Sequence, residues 1–558
     1  MRLSSHPGRV TPRTIDLDPT PRPRIQSALG RLIISTLGRS RSRLLALALL
    51  CTGALAPESG AQTRALTAAD VRRVLQQAAA GAEAAGLRAT IAVTDARGTV
   101  LGVLRMNGAR ADSVVEGVRG EGLEGLSLPS DAVAISKAGS GALLSSGGNA
   151  FSTRTASFIV QDHFPPGVDF TGGGPLFGVQ LSSLPCTDFK SPALPLGLSG
   201  DPGGVPLYKD GVIVGGVGVE GDGVYGVDRD PTDSDQTAEE RAALAGTAGF
   251  ATPEGIRADR ILADGIRLPF ANAEVPSTAA TTGGTEIVAP RDAPAPSFVE
   301  ATLGGVVGQA DPRFPIRAGS VLTAADVRRV LEQAAQQTVV TRAAIRQPLG
   351  SNARVSISVV DTDGSVLGFF QNADAPNFGI DVSVQKARTA NFFSHPQAAA
   401  ELRAAGFAIY VRDVPLDGSV AFTSRAVGFL AQPYFPPGIG GTTEGPFSTP
   451  IRAWSPFNTG LHLDVVEDAV LGGVTGRCST RLARLPNGIT IFPGGIPLYK
   501  DGRLAGAIGI SGDGVDQDDL IANAGTRGFE VPEERRCDQL LVRGVRLPYV
   551  KLPRHPEL

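Results

Sequence analysis

The chain has 558 residues, 42% of them hydrophobic and 19% charged, so it can bury substantial cores and is not disordered overall. Its formal charge of −3 excludes a protein built mainly to grip nucleic acid through phosphate contacts. Seventy glycines and 41 prolines imply short strands, many turns and long loops, and four cysteines are too few for a disulfide-dense scaffold.

In chain order, residues 1–61 read as an export leader. The start is basic and polar up to Arg39, Arg41 and Arg43, and an apolar run follows from Leu44 to Ala56. Small residues then offer cleavage after Ala56 or after Ala61. The run is shorter than the roughly 20 residues of a spanning helix, so the mature protein is expected to be exported, with no stable membrane span. Cys51 falls in this leader. Of the other cysteines, Cys478 and Cys537 lie in one half and could pair, and no Cys-x-x-Cys argues for structural zinc.

An internal repeat organises everything after the leader. Leu-Thr-Ala-Ala-Asp-Val-Arg-Arg-Val-Leu occurs at Leu66–Leu75 and again at Leu322–Leu331. Each copy reads as a helix start, with Thr67 or Thr323 as N-cap and Asp70 or Asp326 three residues on. A hairpin follows in each half, Ile91 to Leu104 and Ile357 to Phe370. Asp95 and Asp361 are expected to hold its turn through backbone amides, with general acid–base chemistry as the alternative. Next comes a helix around Lys137-Ala138 or Lys386-Ala387. Its lysine reads as a solvated or end-capping charge, with an anion contact as the alternative.

A long insertion rich in Gly, Pro and Phe interrupts each half. Phe-Ser-Thr-Arg (Phe151–Arg154) and Phe-Thr-Ser-Arg (Phe422–Arg425) lead to Phe-Pro-Pro-Gly at Phe164–Gly167 and Phe435–Gly438. Loops of this length are expected to serve function or assembly. Each runs into Gly-Gly-x-Pro-Leu-Tyr-Lys-Asp-Gly, Gly203–Gly211 and Gly494–Gly502, which reads as strand, Asp-Gly turn, strand. In the second strand, small residues such as Gly216 and Gly218 alternate with Val217 and Val219. A glycine-lined face lets a helix, another subunit or a flat ligand approach, packing being the commoner use. An acidic loop and a helix follow, from Glu239 or from Asp519. The loop from Asp228 to Asp235 reads as a solvated cap for the helix that Thr237 begins, despite faint calcium-loop spacing. Gly221–Gly226 matches Gly-x-Gly-x-x-Gly without a dinucleotide-binding context.

The expected organisation is therefore a leader at 1–61, a first domain at 62–272, an Ala/Pro/Thr/Gly linker at 273–318 and a homologous second domain at 319–558. The mix of helices and tight hairpins implies an α+β fold, an antiparallel sheet with helices on one face. The two copies could pack as an intramolecular pseudo-dimer.

The capped Ala-rich helix, the hairpin, the Lys-Ala helix, the Gly-Gly-x-Pro-Leu-Tyr-Lys-Asp-Gly motif and the Asp519–Gly525 helix, in this order and twice over, resemble the GlcG/HbpS-like haem-binding family. The resemblance spans both halves except leader, linker and insertions. It implies a five-stranded antiparallel sheet with helices in each half, ready assembly into homo-oligomers, and haem or a related tetrapyrrole as ligand. The repeated residues Arg154, Gly203, Gly204, Tyr208 and Lys209, with Arg425, Gly494, Gly495, Tyr499 and Lys500, are then the expected ligand contacts, the cations pairing with haem propionates. Iron ligands would come from His163 or His395, with His462, the two tyrosines and Met106 behind them. The expected function is an exported, non-catalytic haem-binding protein. A ligand-free structural or oligomerisation module, or an enzyme acting on a small organic acid or cofactor, are the alternatives.

Overall fold

The computed structural model describes residues 64–552, except 118, 169, 229, 232, 264, 274–282, 477 and 478. The leader expected over 1–61 lies outside these residues, as do Cys51 and Cys478. Gly60–Leu558 forms one compact unit. Among the described residues, no helix is long and apolar enough to cross a membrane.

The first half begins with α1 (Ala68–Ala84), started by the expected capping box: the Asp70 amide donates to Thr67 Oγ1, and the Thr67 amide to the Asp70 carboxylate at 2.8 Å. Strands β1 (Thr90–Asp95) and β2 (Val100–Met106) form the first hairpin. Asp95 Oδ1 accepts from the amides of Arg97 and Thr99, both at 2.8 Å, which is the turn-holding role read from the sequence. Helix α2 (Ser130–Leu143) and the short α3 (Thr153–Ile159) precede β3 (Gly204–Lys209) and β4 (Val212–Glu220), and α4 (Ala238–Gly246) follows. The β3–β4 turn is built on Asp210 and Gly211, with φ of 50° and 75°.

Strand β1 pairs antiparallel with β4 from Thr90↔Glu220 to Asp95↔Gly215. Alternation along these strands assigns the two faces. Ile91, Val93, Val217 and Val219 pack with α1 and α4, while Ala92, Gly216 and Gly218 meet α2. Each such buried aliphatic side chain contributes about 1.5–3 kcal/mol. Helices therefore cover both faces of the sheet, not one. The small residues of α2 let it settle where the sequence pattern alone placed a single helical layer.

Residues 273–318 are more than a linker. Strand β5 (Gly284–Val288) joins the outer edge of β2, giving the order β5-β2-β1-β4-β3. The hairpin β6 (Val299–Leu303) and β7 (Val306–Ala310) joins the second sheet. Strong β formers such as Thr285, Ile287, Val299 and Val306–Val307 sit inside the Ala/Pro composition that read as linker, and two free sheet edges were there to receive them.

The second half follows the same plan. Helix α5 (Ala324–Thr338) is capped by Thr323 and Asp326. Strands β8 (Val355–Val360) and β9 (Val366–Asn372) form its hairpin, and α6 (Gly379–Phe393) is the Lys-Ala helix. The insertion carries α7 (Ala398–Ala404), α8 (Ser424–Leu430) and α9 (Leu461–Thr475). Strands β10 (Gly495–Lys500) and β11 (Arg503–Gly512) and helix α10 (Val515–Gly525) complete it. The sheet order is β6-β7-β9-β8-β11-β10, with β8 and β11 in register from Val355↔Gly512 to Val360↔Ala507.

The insertions bind the halves together. Asp381 at the start of α6 accepts from Ser183 N at 2.7 Å and Thr187 Oγ1 at 2.9 Å, and Arg388 pairs with Asp188 at 2.7 Å. Phe177 stacks on Trp454 at 4.9 Å, and Phe170 of one Phe-Pro-Pro-Gly loop meets Tyr434 of the other at 5.3 Å. Cys186 is disulfide-bonded, whereas Cys537 is buried and free, so the possible Cys478–Cys537 bridge does not form.

Candidate functional site

The glycine-lined faces are closed by the chain's own helices. A Cβ at Gly204 would collide with the carbonyl of Lys137, and one at Gly216 or Gly218 with the α2 carbonyls of Ala138 or Ala134. In the second half, Gly495 lies under the Lys386 carbonyl and Gly509 under that of Ser383. Gly203 and Gly494, with φ of 127° and 115°, offer their carbonyls to Val219 N at 3.0 Å and Ile510 N at 2.9 Å. Packing therefore accounts for these glycines, and the helices leave no room for a flat ligand on this face. The alternation of small and large residues is the same whether a helix or a ligand is the partner, so sequence could not separate the two.

The polar residues of the repeated motif are taken up in the same way. Lys209 Nζ pairs with Asp70 at 2.6 Å and Lys500 Nζ with Asp326 at 2.7 Å, so each lysine locks the capping box of its own half's first helix. Arg154 is buried and grips Glu240 through Nε and Nη2, with Asp228 and Asp235 each at 2.6 Å from Nη1. The acidic loop is thus tied to Arg154 through Asp228 and Asp235, while Asp230 and Asp233 to Gln236 remain exposed and Thr237 caps α4 as expected. Arg425 pairs with Asp519 at 2.5 Å and Asp516 at 2.6 Å. Tyr208 is buried, and its hydroxyl donates to Ser146 O at 2.7 Å.

Lys137 and Lys386 are neither solvated nor end-capping; both ammonium groups are completely buried. Lys137 Nζ lies 2.6 Å from Glu239, 2.8 Å from Glu220 and 3.1 Å from Asp201. Lys386 Nζ has one carboxylate partner, Asp518 at 2.8 Å, and the ring of Phe492 at 4.8 Å. Ser511 takes the place of Glu220, and Phe492 that of Asp201. Burial alone would lower the pKa of Lys137, but its three carboxylates push it well above the ordinary value. For Lys386, with one strong partner, burial prevails and the pKa falls. Asp95 and Asp361 share neither cluster: Asp95 holds its turn, and Asp361 accepts from Ser320 N and Thr362 N at 2.7 and 2.8 Å.

The first-half cluster holds three carboxylates against one ammonium, so it retains a proton where exposed carboxylates are ionised. Burial raises Glu239 from 4.5 to about 8 and Asp201 well above its ordinary value, despite Lys137. The folded state then binds more protons than the unfolded chain between about pH 4.5 and 8, and stability falls as pH rises through that window. Asp201→Asn removes one excess charge and keeps the shape. Denaturant titrations at several pH values are expected to show a shallower decline for this variant than for the parent chain.

The predicted iron ligands scatter. His163 pairs with its neighbour Asp162 at 3.3 Å. His462 is buried in the core, 1% exposed, and Met106 is buried in the first-half core. His395 is different: it lines a cleft of about 470 Å3 together with Tyr499, Arg503, Leu504 and Arg535. That volume lies within the range of roughly 300–1,000 Å3 usual for ligand sites. Burial and Arg484 push the His395 imidazole down to about 4, leaving it neutral at pH 7. Its Nδ1 accepts from Gln397 N at 3.2 Å. Tyr499 is 3% exposed, and its hydroxyl has no hydrogen-bond partner among the described residues. Arg535 sits over its ring at 5.9 Å.

The contrast with Tyr208 explains the opening. In the first half, the tight loop Ser146–Asn149 supplies the carbonyl that Tyr208 needs. In the second half, α7 and its flanks replace that loop, bring in His395 and leave Tyr499 orphaned. Arg503 and Arg535 were absent from the residues expected to bind a ligand, since nothing in the sequence marked either one as facing Tyr499.

Residues 330–527 match the family model described as haem degrading protein HbpS-like. No curated protein matches the chain. Two solved structures are similar at 18% identity and a TM-score of 0.21. They are Klebsiella pneumoniae protein ORFY, covering 39% of this chain and 95% of that one, and a PduOC–haem complex, covering 38% and 97%.

Proposed function

Since the second half of the chain carries an HbpS-like domain, we propose that the protein binds haem in the cleft between His395 and Tyr499. One observation carries this reading. A neutral imidazole, an unpartnered buried phenol and two arginines converge on one cleft of cofactor size. His395 is the proposed axial ligand. Its lone pair is released from Gln397 N at a cost of about 1 kcal/mol. Arg503 and Arg535 would pair with the propionates, and the Tyr499 hydroxyl would gain the partner it lacks. Bound haem would supply iron and its ligand and redox chemistry. The chain's own part is to hold and orient it, and the proposal is confined to binding. Export through the leader belongs to the same reading, and the disulfide at Cys186 favours an oxidising compartment.

The test is a hemin titration of the full chain. A Soret shift saturating near one haem per chain is expected. His395→Ala should weaken binding about ten-fold or more, a loss of roughly 1.4 kcal/mol or greater. Lys209→Ala, whose contacts are Asp70, Ala65 and Phe250 and none of the cleft residues, should leave binding unchanged. A Soret band no different from hemin in buffer, or equal binding by His395→Ala, would refute the assignment.

A further inference from the structure

A second pocket of about 150 Å3 lies where the two halves meet, and it shares no lining residue with the haem cleft. Leu144, Phe151 and Ile159 from the first half and Ile345, Phe378 and Phe492 from the second supply apolar walls. Ser511 and Asp518 also line it. Both are nearly fully buried, at 1% and 2% exposure. Asp518 Oδ2 accepts from Lys386 Nζ at 2.8 Å, but Asp518 Oδ1 and Ser511 Oγ have no hydrogen-bond partner among the described residues. Buried polar atoms of this kind are normally satisfied, so two of them on one pocket point to a missing partner.

We propose that this pocket is a separate ligand site for a neutral molecule of about one aromatic ring bearing a hydroxyl group. Its size sets the ring: apolar cavities of about 150 Å3 take up benzene. Its polar pair sets the head group. A hydroxyl gives its proton to the free carboxylate oxygen and accepts the seryl proton, satisfying both atoms at once. A cation gains little, because Lys386 already neutralises Asp518. An anion has no proton to give Asp518 Oδ1, and a purely apolar molecule leaves both polar atoms unpaired. The haem macrocycle exceeds this volume. In the first half, Glu220 and Asp201 stand where Ser511 and Phe492 stand in the second, and both face Lys137.

The inference is independent of haem binding and is tested without haem. Binding of 4-fluorobenzyl alcohol and 4-fluorotoluene to the full chain is followed by fluorine NMR. The alcohol is expected to bind about ten-fold more tightly than its hydroxyl-free analogue. Ser511→Ala should bring the two within about three-fold of each other, since one of the two polar partners is gone. Ala344 lines the pocket but is solvent-exposed, so Ala344→Phe should plug the mouth without disturbing the core and abolish binding of both. Equal binding of both probes by the parent chain, binding of neither, or unchanged binding in Ala344→Phe would overturn the proposal.

Discussion

Lys137→Met is expected to destabilise the first half by about 3–5 kcal/mol, the usual result of removing one partner from a buried charge cluster. The methionine fills most of the space, so packing is nearly kept and the loss is electrostatic. Glu239, Glu220 and Asp201 would be left facing one another without a cation. At about pH 5 Glu239 and Asp201, whose carboxyls burial already raises, can take up protons and soften the loss; at about pH 8 they cannot do so as readily, and the full cost appears. Lys386→Met is expected to cost less, because only Asp518 is stranded and its carboxyl, already raised to about 7 by burial, is easily neutralised. Urea unfolding of both variants at the two pH values checks this. A smaller loss for Lys137→Met than for Lys386→Met would contradict the idea that the number of stranded carboxylates sets the cost.

Gly509→Val is expected to prevent the second half from folding, and Gly509→Ala to destabilise it by about 3 kcal/mol, the upper end of ordinary overpacking. The added carbon meets the Ser383 carbonyl, the Ala387 amide and the Ala387 side chain, and α6 has no slack because its backbone lies directly on the sheet. Gly255→Ala is the control: nothing lies within 4 Å of its Cβ, and a change within about 0.5 kcal/mol is expected. Thermal unfolding of the three proteins measures the difference. Full tolerance of Gly509→Ala would mean that the face has room for a ligand after all.

Much of the scaffold was legible in the residues. Capping boxes and Asp-Gly turns are local devices, and Thr67, Asp70, Asp210 and Gly211 behave as their neighbours dictate. The antiparallel sheets followed from the hairpins. The edge strands between residues 284 and 310 did not, because their pairing depends on sheet edges far away in sequence. The sites were harder for the same reason. Lys137 reads as a surface charge until Asp201, Glu220 and Glu239, all from later elements, are seen to surround it. Arg154 and Arg425 were sound choices as charges but already have carboxylates to hold. His395 and Tyr499 were both singled out from sequence, yet only the folded insertion brings them to one cleft.

The pairing of Thr90 with Glu220, 130 residues further along, has a consequence for synthesis. A ribosome adding about 5–20 residues per second needs roughly 7–26 s to deliver the central partner of the first hairpin. In the second half, Val355 waits still longer for Gly512. Throughout that interval the free edge of β1 or β8 stays unpaired, and only α1 and α2, or α5, α6 and the helices of the second insertion, are there to shelter the hairpin. Newborn chains of this protein are thus most exposed to aggregation while the insertions are being translated, and a holding chaperone would act then.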